Sequence, residues 1–429
     1  MSTFVSILIA LLALSIIIIV HETGHFLLAK ACGIRVLEFG LFMGPKIFSR
    51  EKNGTIYSIR AIPIGGFVAM EGEEENVQSP TSYSSAKPYK KLLVALAGPF
   101  FNIVFAFLVL TILFASTGYA LDTNTVFEKG SPLYEQGLMD GDEIISINGQ
   151  NVNDPSDITM ILYPLKEEDD VIVKYKRDGK IYSVTVNPIQ MGGTRILLDI
   201  TTQSGTTLVA TIDEDSNGYI AGLRANDEII AINDESVSNI NELSELVKKN
   251  GVGSIKVTVL RVGAEVTFIF DTIESYSTEY VDIGVYYYAT EINFFQAVSH
   301  AITYSFTVVK TVILSIVWMI TGIVKLSDMM GPVGIISTIG EQIKQPTFVL
   351  FIINLCNMMA FISINLGTMN LIPFPALDGS KVVIHVIEWI KGKPFNQNKM
   401  KYVTIAGFVI LLLILVLTTF NDIMRLIKG

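Results

Sequence analysis

The chain reads as a polytopic α-helical membrane protein of four spans, with a duplicated α/β insert held outside the bilayer. Three observations predict that class. Half of the 429 residues are hydrophobic and 17% are charged, a balance too apolar for a soluble chain of this length. Stretches 4–29, 92–120 and 403–424 are apolar over the roughly 20 residues that a helix needs to cross a bilayer. Of 41 acidic residues, 29 fall between Asp122 and Glu291, so the middle of the chain is a soluble acidic block. A net charge of −10 without any basic stripe excludes nucleic acid as a partner. Cys32 and Cys356 lie in or beside apolar segments and offer neither a disulfide framework nor a cysteine zinc pattern.

The first span has no basic residue before it and no small-residue cleavage site after it, while Lys30 and Arg35 follow. It therefore reads as a retained span and not as a signal peptide. Residues 30–91 hold nine Lys or Arg and 379–402 hold five; the positive-inside rule makes both loops cytoplasmic. A fourth apolar segment, 347–372, carries Asn354, Asn357, Asn365 and Asn370, and must return inward before Lys391, Lys393, Lys399 and Lys401. That leaves no crossing for 294–324, which is interrupted by His300, Lys310 and several Ser and Thr. This segment reads as an amphipathic helix on the outer surface. Both termini then lie outside.

The acidic block repeats itself. "GLMDGDEIISINGQNV" from Gly137 matches "GLRANDEIIAINDESV" from Gly222 at nine of sixteen positions, offset by 85 residues. Helix-like runs (157–165 and 241–249) and alternating strands such as "DVIVKYKR" and "SIKVTVLRV" complete each unit. So long a period marks a domain duplication and not a solenoid. Both copies resemble bacterial, circularly permuted PDZ domains, whose G-L-x-x-G-D-x-I-x-x-I-N-G signature the first carries in full. The second has Asn226 and Asp234 where that family has glycines; asparagine tolerates a left-handed backbone. The resemblance implies capture of extended peptide termini by strand addition, or a steric filter. The expected division is 1–120 (membrane domain, first two spans), 121–195 and 196–290 (the two PDZ copies), 291–346 (outer helical segment) and 347–429 (last two spans).

The chemistry is concentrated in "IIIIVHETGHFLLAK", residues 16–30, where His21, Glu22 and His25 form an H-E-x-x-H run in an apolar helix. Residues i and i+4 share a helix face, so both imidazoles can converge on one metal ion, and Glu22 lies beside that face. Zinc suits two imidazoles and a carboxylate with one position open. Ionisable groups inside a membrane are rare and usually functional. For a third ligand, His300 falls outside, His385 reads as solvated in a basic segment, and Asp378 closes "NLIPFPALDG" on the side where His25 lies. Pro373 and Pro375 break the helix there, freeing backbone groups that lipid tolerates only around a polar cavity. Capping the following helix is the bland alternative for Asp378.

With His21–His25, "IPIGGFVAM" from Ile62, "AGPFFN" from Ala97, "MGPVGI" from Met330 and "SINLGTMNLIPFPALDG" from Ser363 in that order, the chain resembles the site-2 protease family of intramembrane zinc metalloproteases. It is most similar to the bacterial type with extracytoplasmic PDZ domains. The resemblance implies that His21, His25 and Asp378 bind Zn2+ and that Glu22 is the catalytic acid/base. It also implies that Asn370, with Pro373 and Pro375 of its motif, holds substrate beside the metal, and that Asn102 of G-P-x-x-N faces the same cavity. Finally, it makes the loop after the first span a re-entrant β element, with a strand-like pair expected within residues 54–70. The implied enzyme sits in the bacterial cell membrane, its active site towards the cytoplasm. It would cut single-span membrane proteins or signal-peptide remnants in regulated intramembrane proteolysis. Two other readings are a non-catalytic membrane-anchored PDZ scaffold, and a metal transporter, for which the ligands strung across several spans are missing.

Overall fold

The computed structural model describes residues 3–73, 77–202, 206–212, 216–324, 329–343, 347–393, 395 and 397–428. It contains two compact units. The larger comprises residues 1–164, 170–186 and 284–425; the smaller comprises 165–169, 187–283 and 426–429.

The larger unit opens with α1 (Thr3–Ala31), apolar on every side, as suits a helix surrounded by lipid and other helices. β1 (Val36–Lys52) and β2 (Thr55–Met70) follow as one antiparallel hairpin. Lys52 pairs with Thr55 across Asn53-Gly54, both at positive φ (52° and 72°), the two-residue turn that Asn-Gly favours. Residues 55–70 are thus one strand whose partner is 36–52, not a pair within 54–70. α2 (Pro88–Thr117) starts with proline in its first turn, where no backbone donor is lost, and contains Pro99.

β3 (Tyr119–Phe127), α3 (Pro132–Glu135), β4 (Glu143–Ile147), β5 (Gln150–Asn151), α4 (Pro155–Leu162), β6 (Val171–Arg177) and β7 (Lys180–Val186) make the first repeat. The second lies in the smaller unit: β8 (Ile189–Leu197), β9 (Ile200–Thr202), β10 (Val209–Ile212), α5 (Asn217–Ala221), β11 (Glu228–Ile232), β12 (Glu235–Ser236), α6 (Ile240–Asn250), β13 (Ser254–Arg261), β14 (Ala264–Asp271) and β15 (Ile273–Asp282). The four-stranded sheets have the same order, β5-β4-β6-β7 and β12-β11-β13-β14. Gly141 and Gly149 sit at φ 92° and 77°, and their counterparts Asn226 and Asp234 at 69° and 66°, so the substituted turn keeps its left-handed backbone.

The strands redraw the expected boundaries. A cut at 195/196 falls inside β8, which pairs with β15; β16 (Val285–Thr290), assigned above to the second copy, pairs instead with β3.

The larger unit continues with α7 (Phe294–Thr321), α8 (Pro332–Ile343), α9 (Phe348–Asn370), α10 (Asp378–Lys391) and α11 (Gln397–Lys428). Among the described residues five helices are long and apolar enough to cross a membrane: α1, α2, α7, α9 and α11. The fifth is α7. His300, Lys310 and the hydroxyl residues do not break it, because Ser305, Thr311 and Ser315 bond the carbonyls four residues back. Its buried stripe, Ala297, Ala301, Val308 and Val312, packs with Ala106 and Leu110 of α2 and Ala360 and Ile364 of α9.

Candidate metal centre

Three helix segments build the centre, and small residues let them meet. A Cβ on Gly24 would strike the Ala97 carbonyl of α2, and one on Gly98 would strike both His21 and His25. These two glycines set how closely α1 approaches α2. Pro99 lacks the N–H that would bond the carbonyl of Ala95, opening the α2 ladder one residue past Val94. The Val94 carbonyl there accepts from His25 Nδ1 at 2.7 Å, which leaves Nε2 with its lone pair facing inward. Asp378 arrives from the other half of the chain. After α9, residues 371–377 leave the helix, with Ala376 at φ 79°, and α10 starts at Asp378 itself.

His21 Nε2 and His25 Nε2 lie 3.0 and 3.1 Å from Asp378 Oδ2 and 3.2 Å from each other. Tetrahedral ligands about 2.0–2.1 Å from a zinc ion stand about 3.3 Å apart, so the donor set fits that ion. Glu22 is not in the cluster; its Oε2 accepts from Val68 N of β2 at 3.1 Å. A cavity of about 210 Å³ is lined by His21, Glu22, His25, Glu73, Tyr83, Asp378 and Lys381, with apolar walls from Phe67, Val68, Met70 and Val94. Its three carboxylates against the one ammonium of Lys381 leave two negative charges, which one divalent cation neutralises.

α10 carries more of this site than the sequence suggested. Asp378, Lys381, His385 and Glu388 fall on one stripe of the helix; the first two line the cavity and the last two are buried. Lys381 Nζ bonds Glu73 at 2.9 Å and lies 3.9 Å from Asp378 Oδ1. Burial works against that ammonium, but Glu73 and Asp378 outweigh it and hold its pKa well above the lysine range. His385 is not solvated: it is 7% exposed, Nε2 meets Tyr83 Oη at 2.9 Å and Nδ1 meets Glu388 at 3.0 Å. Burial pushes its pKa down. Glu73, Tyr83 and Lys381 were missed; the only signal was the i, i+3, i+7, i+10 spacing on α10, which reads equally as a solvated face.

The remaining predicted residues are not among those lining the cavity. Asn102 is fully buried, its amide nitrogen 3.3 Å from His21 Nδ1. Asn370 ends α9 half-buried; Pro373 is exposed, and Pro375 packs where a Cβ on Gly407 of α11 would sit. His300, taken for an ordinary polar residue, rests against the Tyr119 ring with centroids 5.0 Å apart.

Apolar helices around two imidazoles of an H-E-x-x-H run and a carboxylate from a distant helix define a membrane metallopeptidase. The chain belongs to peptidase family M50, whose family model matches residues 9–414. It is 28% identical to the regulator of sigma-W protease RasP of Bacillus subtilis, over 95% of each chain. It is also 28% identical to the zinc metalloprotease RasP of Bacillus licheniformis, over 95% of this chain and 96% of that one.

Proposed function

We propose that the protein is a site-2-type intramembrane zinc metalloprotease that hydrolyses peptide bonds in or near the membrane segment of single-span proteins or signal-peptide remnants. The observation that carries this reading is the convergence of His21, His25 and Asp378 to within 3.2 Å beside Glu22. The name of the B. subtilis relative, a regulator of sigma-W protease, supports a role in regulated intramembrane proteolysis.

His21, His25 and Asp378 would hold the ion. When bound, zinc supplies a water of lowered pKa and polarises the scissile carbonyl. Glu22 Oε2 takes the proton of the attacking water and returns it to the leaving amine. Before that, a helical substrate has to unwind, because its carbonyls are already hydrogen-bonded and cannot stay unpaired in an apolar site. The backbone of β2, which already donates to Glu22 from Val68, is placed to pair with the extended chain as an added strand. Asn370, Pro373 and Pro375 then shape the approach to the cavity, and do not form its wall.

What each helix end touches supports an orientation. α7 meets the first repeat along its length: Tyr119 against His300, Lys310 at 3.7 Å and Thr307 at 3.4 Å from Asp157, and Tyr163 stacked on Trp318. From His300 to Trp318 is about 27 Å of helix at 1.5 Å per residue. Were α7 to span the bilayer, it would drag the acidic repeat into hydrocarbon. These contacts support placing α7 along the outer surface, against the outer half of α2 and against α9, which leaves four spans and puts the re-entrant hairpin β1–β2 on the cytoplasmic side. Asp422, near the end of α11, accepts from Gly331 N and Gly334 N at the head of α8, while Gly407 of the same helix packs on Pro375. The metal centre and α8 thus sit at opposite ends of α11. The basic loops beside the centre make its side cytoplasmic; both termini and the repeats, acting as PDZ-like substrate filters, are extracytoplasmic.

The test is purified protein in bilayers with a single-span model substrate, read for bound zinc and cleavage. Glu22→Gln is expected to keep stoichiometric zinc and lose about 10²–10⁴-fold in rate. Cleavage at the wild-type rate would remove the assigned base; wild-type protein with neither zinc nor cleavage would favour the tethering scaffold.

A further inference from the structure

We infer that Asn102 is a positioning residue for His21: its side-chain oxygen accepts the Nδ1–H of that imidazole, which fixes the tautomer whose Nε2 faces the metal. The inference rests on the metal reading above.

As the atoms stand, the pairing is chemically incomplete in two places. Asn102 Nδ2 lies 3.3 Å from His21 Nδ1, and Asn102 Oδ1 is buried with no hydrogen-bond partner. An imidazole that offers Nε2 to a cation is neutral and carries its proton on Nδ1. Nδ1 is then a donor facing a second donor. Amide oxygen and nitrogen are assigned from the hydrogen-bond network and not from their shape. Turning the amide by half a rotation places the orphaned oxygen opposite Nδ1–H, so that the imidazole donates and the amide oxygen accepts.

The neighbouring imidazole shows the same device with a different acceptor. His25 Nδ1 donates to the Val94 carbonyl at 2.7 Å. α2 therefore supplies an acceptor to each imidazole of α1, one a backbone carbonyl and one a side chain two turns further on. The backbone carbonyl of Asn102 is already bonded by Ser363 Oγ of α9 at 2.9 Å, which leaves its side chain as the acceptor for His21. That bond is to the backbone and survives any change of the side chain, so α2 and α9 stay joined in the variants below. Full burial of Asn102 shields the acceptor from water, which is where such a partner tunes a ligand most.

The experiment is zinc affinity by chelator competition on the full-length purified protein, for wild type, Asn102→Asp and Asn102→Leu. An acceptor role predicts that Asp, which can only accept when ionised, binds within about threefold of wild type or tighter. Leu, of similar volume, is expected to weaken zinc by about 10–100-fold. If Asp loses as much as Leu, the amide donates or merely packs, and the positioning role is overturned. Equal zinc affinity in all three proteins overturns it as well. Wild-type protein without zinc would sink the metal reading itself, an outcome distinct from either.

Discussion

Two regions of this molecule bury a carboxylate, and they do so differently. In the acidic repeats, Asp142 and Asp227 accept paired bonds from Arg177 and Arg261, and each also takes a backbone N–H. Both oxygens of each carboxylate have a donor, and the two copies use the same arrangement. At the membrane centre, Asp378 Oδ2 faces two imidazole nitrogens that face each other as well. One proton cannot satisfy three acceptors in that triangle. A closed carboxylate stabilises its own fold; an open one, pointed at lone pairs, calls for a cation from outside.

The largest effect expected from this contrast comes from removing each carboxylate. Asp378→Ala should abolish stoichiometric zinc and cleavage while barely moving the melting of the repeats. Asp142→Ala should do the reverse, leaving zinc bound and destabilising its repeat by about 3–5 kcal/mol, the typical loss when one member of a buried pair is deleted. Metal analysis together with hydrogen exchange resolved by region reads both. Zinc lost from Asp142→Ala, or retained by Asp378→Ala, would erase the distinction.

A smaller change tests whether the open site depends on helix approach. Gly98→Ala adds a single methyl against both imidazoles, in a membrane interior where α1 and α2 can only part to relieve it. Zinc affinity should fall by one to two orders of magnitude, as for other displaced supports of a metal ligand, whereas Gly130→Ala in the first repeat, with open space around its Cβ position, should leave it unchanged. Equal affinities would mean that α1 and α2 are not held at the spacing described.

The sequence made His21, Glu22, His25 and Asp378 readable because two of the ligands share one turn of helix and the third follows a proline-broken span. It also showed the duplication, since nine shared positions survive in sixteen. The pairing of β1 with β2 was overlooked although Asn53-Gly54 announces it. The reason is that β1, with its bulges and its mixture of exposed apolar and charged residues, shows no clean alternation. The inward stripe of α10 was hidden for a different reason. In a soluble protein polar positions on an amphipathic helix face water, and nothing in the residues alone says that here the exposed side is Val383, Trp389 and Ile390. The uninterrupted course of α7 was obscured by serines and threonines that satisfy themselves on their own helix.

The hairpin between α1 and α2 offers the finest test of the contrast, because it holds a closed carboxylate in the same unit as the open one. Glu38 of β1 accepts from Lys46 at 2.8 Å, Ser58 at 2.6 Å and Arg60 at 3.0 Å. Burial alone would raise its pKa, but those three donors outweigh burial and hold it at about 2, below the ordinary value of 4.5. A group whose pKa is lower folded than unfolded stabilises the fold fully above the unfolded value, and progressively less as pH falls through the folded one. Amide protection of β1 and β2 should therefore be flat from neutrality down to about pH 5 and decline between 4.5 and about 2. Glu38→Gln should lower it at neutral pH and flatten the acid limb, with zinc content unchanged. If the variant keeps wild-type protection at pH 7, the three bonds do not hold the hairpin. If it loses zinc, the closed and open carboxylates are coupled through β2 and Val68, and the two regions are one.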